Sequence, residues 1–440
     1  MAWSLLAFGG VYLWALVPLV VAALCLLVAA RPAFKKSSHQ QLLDAALVAV
    51  LLVVGIQLIP LPRNLVGLFS PGTVLTWDAL NLHRDSFISI SVWPAATAEA
   101  LATAFTAVAV FWGARELFRV HGLRRAIRTV ALVGAVASFA GLIQRKSAAN
   151  LVYGFWQPIE TGAWPFGPFV NRNFFATWVL MAIPLCAGYL LARHPGQSHH
   201  EARSWRVRLA HALDGRTIWL TTVVGLMTVA LFASLSRSGA IGFVAVLLAG
   251  GAGAQFRPGS RRWRRAAIGL VVVAVSVVLW GDVPRLLNRV QETRVLEPRE
   301  RQAIWRDTRP LVRDHWLTGT GAGAYERAML LYQRTNRAYY DNQAHNQYLQ
   351  VVADGGLLLA IPVLAALASV AAGALRQLRR DRTGMFWIRL GAAAGLVGVL
   401  VQCFWETGLR APGNAILSAV LAAILLHEPL AISHTNRTTP

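Results

Sequence analysis

The chain is short of charge: only 14% of its 440 residues are Asp, Glu, Lys or Arg, against 56% hydrophobic residues. An average soluble domain carries roughly 25% charge, so an ordinary water-soluble enzyme is excluded and lipid is the expected solvent. Lysine is confined to Lys35, Lys36 and Lys146, and acidic residues (20) are half as many as basic ones (42), leaving a formal net charge of +22. That excess does not mark a nucleic-acid binder, because the Arg residues fall in short runs between long apolar stretches, as orientation signals do. Cysteine is scarce too. Cys25, Cys186 and Cys403 lie inside separate apolar segments, which argues against a disulfide framework or a thiolate metal site. There is no His-Glu-x-x-His and no paired Asp cluster in an outer segment, so no metal or cofactor is implied. Gly319-Thr-Gly-Ala-Gly323 is not followed by Gly-Lys-Ser/Thr, and it reads as a turn, not a phosphate loop.

What is present is a series of apolar runs long enough to span a bilayer, or nearly so: 4–30, 41–60, 97–117, 127–144, 173–193, 217–235, 239–254, 264–281, 356–375, 385–405 and 412–428. The expected fold is an all-α polytopic membrane protein with about eleven transmembrane helices, within a range of about ten to twelve. The segment from Met1 to Ala30 lacks the basic start and small-residue cleavage site of a signal peptide, so it reads as a retained first helix. Five basic clusters occupy every second connection: Arg31/Lys35/Lys36, Arg119/Arg124/Arg125/Arg128, Arg203/Arg206/Arg208, Arg257/Arg261/Arg262/Arg264/Arg265 and Arg376/Arg379/Arg380/Arg382. Positive charge is retained in the cytoplasm, which places 61–96, 145–172, 236–238, 281–355 and 406–411 on the far face. Residues 1–280 then hold helices 1–8, 281–355 form a large loop on the non-cytoplasmic side, and 356–440 hold helices 9–11 and a cytoplasmic tail. Within the loop, Glu297 to Arg309, Tyr325 to Arg334 and Asn346 to Ala353 are expected to be helical, separated by Pro310, the glycine turn and Tyr339 to Ala344. The loop is therefore a helical cap.

Three polar strings stand on that far face. Gly167-Pro-Phe-Val-Asn-Arg-Asn-Phe-Phe-Ala176 enters the fifth span; Asn171 and Asn173 can cap the helix start, and Arg172 sits at the membrane surface as an anion partner or a snorkelling side chain. Ser234-Leu-Ser-Arg-Ser-Gly239 interrupts two apolar spans. Polar backbone at that depth needs protein or water around it, and the fork of Arg237 matches a phosphate. Ala344-His-Asn-Gln-Tyr-Leu-Gln350 re-enters the membrane with His345 at a helix start, where the dipole favours a neutral ring able to accept a proton. Arg301 and Arg306 in the first loop helix, and Arg410 near Glu406, are further anion candidates or else solvated or paired charges. Trp77, Trp93, Trp156 and Trp164 lie near span ends, where indole rings settle at an interface.

These strings in this order resemble the O-antigen ligase and polymerase superfamily of bacterial membrane glycosyltransferases. The resemblance rests on Gly167 to Ala176, Ser236-Arg-Ser-Gly239, Gly319 to Gly323, and His345-Asn-Gln-Tyr-Leu349 leading to Asp354-Gly-Gly356. It implies a C-type glycosyltransferase-like helical fold in the bacterial inner membrane. It implies a glycan taken from undecaprenyl pyrophosphate and joined to an acceptor at the periplasmic face without metal. His345 and Arg237 become the catalytic candidates, with Arg172, Arg237, Arg301 and Arg306 on the pyrophosphate and Asn171, Asn173, Asn346 and Arg410 in support. Asp354 stands where a Glu is frequent in that family, and Phe174 where a His is frequent. The acceptor is a lipid A core or a growing polysaccharide, so the chain reads as an O-antigen ligase or a surface polysaccharide polymerase. An O-linked protein oligosaccharyltransferase is an alternative, and a lipid-linked glycan flippase is a rival of another class.

Overall fold

The computed structural model describes residues 1–32, 38–82, 86–147, 150–159, 163–193, 214–257, 298–335 and 340–428. Among them the helices are α1 (Ala2–Leu6), α2 (Leu13–Ala30), α3 (Ser38–Ile56), α4 (Arg63–Phe69), α5 (Pro71–Ala79), α6 (Pro94–His121), α7 (Arg124–Ser147), α8 (Arg172–Arg193), α9 (Gly215–Ala233), α10 (Arg237–Ala254), α11 (Pro298–Asp314), α12 (Tyr325–Tyr332), α13 (Gln347–Arg380), α14 (Met385–Gln402) and α15 (Pro412–Leu425). Two two-residue strands, Leu61–Pro62 and Phe87–Ile88, pair antiparallel. Eight of the helices (α2, α6, α7, α8, α9, α10, α13 and α14) are long and apolar enough to cross a bilayer. The chain is an all-α polytopic membrane protein. The expected span 264–281 lies outside the described residues, and α15, at 14 residues, is shorter than a full crossing.

The bundle is layered from lipid inward. On α2, Val17, Val21, Leu24 and Val28 are exposed at helical spacing, a stripe that only a hydrocarbon environment makes acceptable. In contrast α8 and α14 are largely buried and pack on each other most extensively. Their axes approach closely because a Cβ on Gly391 would overlap the Pro184 carbonyl oxygen, and one on Gly188 the Trp387 carbonyl. Small residues permit such close helix contact where lipid offers no hydrophobic drive for association.

Four expectations are corrected. The first span does not run from residue 4: the chain forms α1, turns at Gly9 and Gly10, both at positive φ, and only then enters α2 at Leu13. Pro310 does not end the first loop helix. It sits inside α11, and the lost hydrogen bond is offset by burial of Ile304 and Leu311 on the inward face. The helix expected at 346–353 and the span expected at 356–375 are one element, α13, broken at Gly356 (φ 57°, ψ −154°). Trp77 is not an interface anchor but is buried in the cap with Val66, Ile88, Val92, Leu311, Tyr325 and Met329. The cap is thus built from the described residues of two segments, 61–92 and 298–353. Burying Tyr325 and Leu311 contributes roughly 1.5–3 kcal/mol each.

The glycine run is a turn, and a structural one. Gly319, Gly321 and Gly323 all have positive φ, and the turn sits against the start of the α13 break: Thr320 N–H donates to the Ala353 carbonyl (2.9 Å) and Gly321 N–H to that of Asp354 (3.0 Å). Buried Gln57, just beyond α3, closes the same corner by donating to the Thr318 and Asp354 carbonyls and accepting from Ala322 N–H. The cap is therefore pinned to the bundle where the chain re-enters it.

Candidate active site

Four connections converge at the cap end of the bundle. At the entry to α8, Asn171 Oδ1 accepts from Asn173 N–H (2.8 Å), and the Asn171 carbonyl accepts from Phe174 and Phe175, so Asn171 caps the helix. Asn173 does something else. Its Nδ2 donates to Glu406 Oε1 (2.8 Å) and its Oδ1 accepts from Ser236 Oγ (2.7 Å), joining three segments distant in sequence. Arg172 N–H donates to the Trp164 carbonyl (2.7 Å), and its guanidinium lies 5.3 Å over the Trp164 ring. That stacking aims the fork without consuming its donors.

The turn 234–237 is held from inside. Ser236 Oγ accepts from Gly239 N–H (3.1 Å) and caps α10, while Leu235 takes a left-handed backbone (φ 55°). Arg237 is the first residue of α10, and its side chain is exposed. Arg145, at the end of α7, donates to the Ala233 carbonyl beside this turn. Arg172 feels Glu406, Arg237 and Arg145 electrostatically, so three Arg residues from three helices share one locality.

His345 is fixed through its neighbours. The Ala344 N–H donates to Gln350 Oε1 (2.8 Å), its carbonyl accepts from Trp305 Nε1 (2.9 Å), and Gln347 N–H donates to the Cys403 carbonyl (2.8 Å). Gln350 Nε2 in turn donates to Asp354 Oδ1 (2.9 Å). Asn346 Oδ1 caps α13 by accepting from Tyr348 and Leu349 N–H (3.0 Å each). Between these anchors His345 adopts φ 48°, an uncommon conformation for a residue with a side chain, which a framework must impose. Its Nδ1 is buried without a hydrogen-bond partner. Burial, then the cations Arg301 and Arg410, pull the imidazole down to about 3, so the ring is neutral. Burial and cations, more than the helix dipole, account for it.

Glu406, in the turn between α14 and α15, is the hub. It is 1% exposed, yet it is charged chemistry by type. Oε1 accepts from both Asn173 Nδ2 and Arg301 Nη2 (2.8 Å each), whereas Oε2 is buried with no partner. Burial pushes its carboxyl up to about 7 against the opposing pull of Arg301, Asn173 and Arg172. Arg301 Nε is likewise buried and unpaired.

Of the expected residues, Arg172, Arg237, Arg301, Arg410, Asn171, Asn173, Asn346 and His345 are brought together by these contacts. Arg410 is exposed and acts on His345 and Asp354. Arg306 is different. On α11, Arg301 and Trp305 share a face by their four-residue spacing, and that face meets Glu406 and Ala344; Arg306 is exposed beside Asp307. Sequence reasoning missed Arg145, Trp305 and Gln350, and it took Glu406 only as a neighbour of Arg410. The available signal was an acidic residue in an outer turn flanked by Trp405 and Thr407.

The arrangement can hold an anion with several negative charges between Arg fork donors, next to a neutral imidazole and a poised carboxyl. Residues 222–364 match the family model described as O-antigen ligase, which supports the O-antigen ligase and polymerase superfamily and a membrane protein that transfers glycans. The match holds Arg237, Arg301 and His345; Arg172, Glu406 and Arg410 lie outside it and converge on the same site. No curated protein matches the chain.

Proposed function

We propose that this chain, whose segment 222–364 is of the O-antigen ligase family, moves a glycan from undecaprenyl pyrophosphate to a saccharide acceptor at the periplasmic face of the bacterial inner membrane. The acceptor is a lipid A core or a growing surface polysaccharide. The observation that carries the reading is the convergence of Arg172, Arg237, Arg301 and Arg410 around His345 and Glu406, at one end of the bundle and under the cap.

In this reading the lipid pyrophosphate lies between Arg172 and Arg237, with Arg301 closing from the cap. These cations meet the charge that develops on the leaving group as the anomeric C–O bond breaks. The acceptor hydroxyl attacks the anomeric carbon from the opposite side in one displacement, which inverts the configuration. His345 accepts the hydroxyl proton. In the empty site its basicity is held down first by burial and then by Arg301 and Arg410; a bound diphosphate offsets the two charges and so raises the basicity of the imidazole, while the burial remains. Donor binding thus strengthens the base. Arg145 adds positive potential behind Arg172, and Arg306 stays outside the reaction. The pyrophosphate departs by charge neutralisation on the Arg side chains.

Purified protein in lipid vesicles, given undecaprenyl-pyrophosphate glycan and candidate acceptors, tests this reading. The expected result is a glycosylated acceptor and free undecaprenyl pyrophosphate, both lost in His345→Ala. Translocation of intact lipid-linked glycan across the vesicle bilayer without product would instead identify a flippase.

A further inference from the structure

Glu406 is unusual in what it leaves undone. A carboxylate 1% exposed ordinarily satisfies both oxygens, because an unpaired buried charge is costly. Here Oε1 takes two donors and Oε2 takes none. The groups facing it are Arg172 on α8, Arg301 on α11 and Cys403 at the end of α14; one step further stand Arg237 on α10, Arg145 on α7, His345 and Asp354 at the cap, and Arg410, which acts on those two. It therefore stands among the cations that a phosphate would use, with one oxygen free.

Two anions cannot stay charged side by side in such a site at low cost, and the carboxyl is the group able to take up a proton. Once protonated it changes from acceptor to donor. Building on the donor site proposed above, we propose that Glu406 binds the pyrophosphate as a carboxylic acid. It holds Arg301 as a carboxylate while the site is empty, takes up one proton from solvent when the diphosphate arrives, and donates a hydrogen bond from Oε2 to a phosphate oxygen. Oε1 keeps its bonds from Arg301 and Asn173 throughout, so Arg301 is positioned before and after loading. Its raised titration midpoint, about 7, places the exchange within reach of neutral pH.

The test is isothermal titration of the full-length protein in lipid nanodiscs with inorganic pyrophosphate, in buffers of different ionisation enthalpy between pH 6 and 8. Wild-type protein is expected to take up about one proton more per pyrophosphate bound than Glu406→Gln at pH 8. Relative to that variant, its affinity should fall by up to about tenfold between pH 7 and pH 8. Protonation of pyrophosphate itself is common to both proteins and cancels in the comparison. Equal proton uptake and equal pH dependence in the two would overturn the proposal. If Glu406→Gln does not insert, Glu406→Asp serves: a shifted midpoint of the pH dependence supports the assignment, and an unshifted one overturns it. Binding that is unaffected by Arg172→Ala and Arg237→Ala would remove the donor site itself, and the proposal with it.

Discussion

Replacing Arg301 by Met separates two accounts of the buried Arg301–Glu406 pair. Were the carboxylate forced to stay charged, removing its partner would cost about 3–5 kcal/mol. Glu406, however, titrates near 7, so it can escape by taking a proton, and the cost near neutral pH shrinks to that of one charge-assisted hydrogen bond, about 1.5–3 kcal/mol. The pH dependence carries the sharper signature. A carboxyl raised in the folded state makes stability fall as pH rises from the unfolded value of 4.5 to the folded midpoint, and leaves it flat above that. In wild-type protein this fall ends near pH 7. Without Arg301 the midpoint moves higher, so the variant continues to lose stability above pH 7 while the wild type does not. The difference between them should therefore be smallest at pH 6 and grow by up to about 1.4 kcal/mol per pH unit between 7 and 8. Reversible unfolding in mixed micelles, followed by tryptophan fluorescence at pH 6, 7 and 8, measures it. A difference independent of pH would refute the assignment of Glu406 as the titrating partner.

Gln350→Leu removes the acceptor for the buried Ala344 N–H and the donor to Asp354; it should destabilise by about 1–3 kcal/mol and lower kcat more than it raises the donor KM, because His345 loses its fixed orientation. Steady-state transfer kinetics read the split, and an unchanged kcat would contradict it. Gly391→Val places a branched side chain against the Pro184 carbonyl in the α8/α14 contact and should cost about 1–3 kcal/mol or prevent folding, seen as a lower midpoint in the same unfolding assay.

The membrane class was legible because the signals are local: span length and apolarity, and basic runs at alternate connections. The three site strings were legible for the same reason, since each puts polar groups where a bilayer-spanning chain should avoid them. What escaped depends on tertiary contact. Asn173 reads as a cap, but the side chain of Asn171 serves that purpose, and the Asn173 side chain is drawn away to Glu406 and Ser236. Pro310 read as a stop, yet one missing hydrogen bond is outweighed by an apolar face the local sequence does not price. Arg301 and Arg306 were equivalent on the page; only the direction of α11 against Ala344 and Glu406 divides them. Glu406 is marked locally only as an acidic residue in an outer turn; that it is a hub depends on partners 105 and 233 positions away.

That division between Arg residues is also the most direct test of the whole account. Transfer of glycan from undecaprenyl pyrophosphate, measured with purified and correctly inserted protein in lipid, should fall at least about a hundredfold in Arg237→Ala, the loss of one preorganised charge-stabilising donor. Arg306→Ala, at an exposed position of α11, should stay within a few-fold of wild type. Near wild-type transfer by Arg237→Ala, or equal losses in the two variants, would contradict a donor site built from Arg172, Arg237 and Arg301.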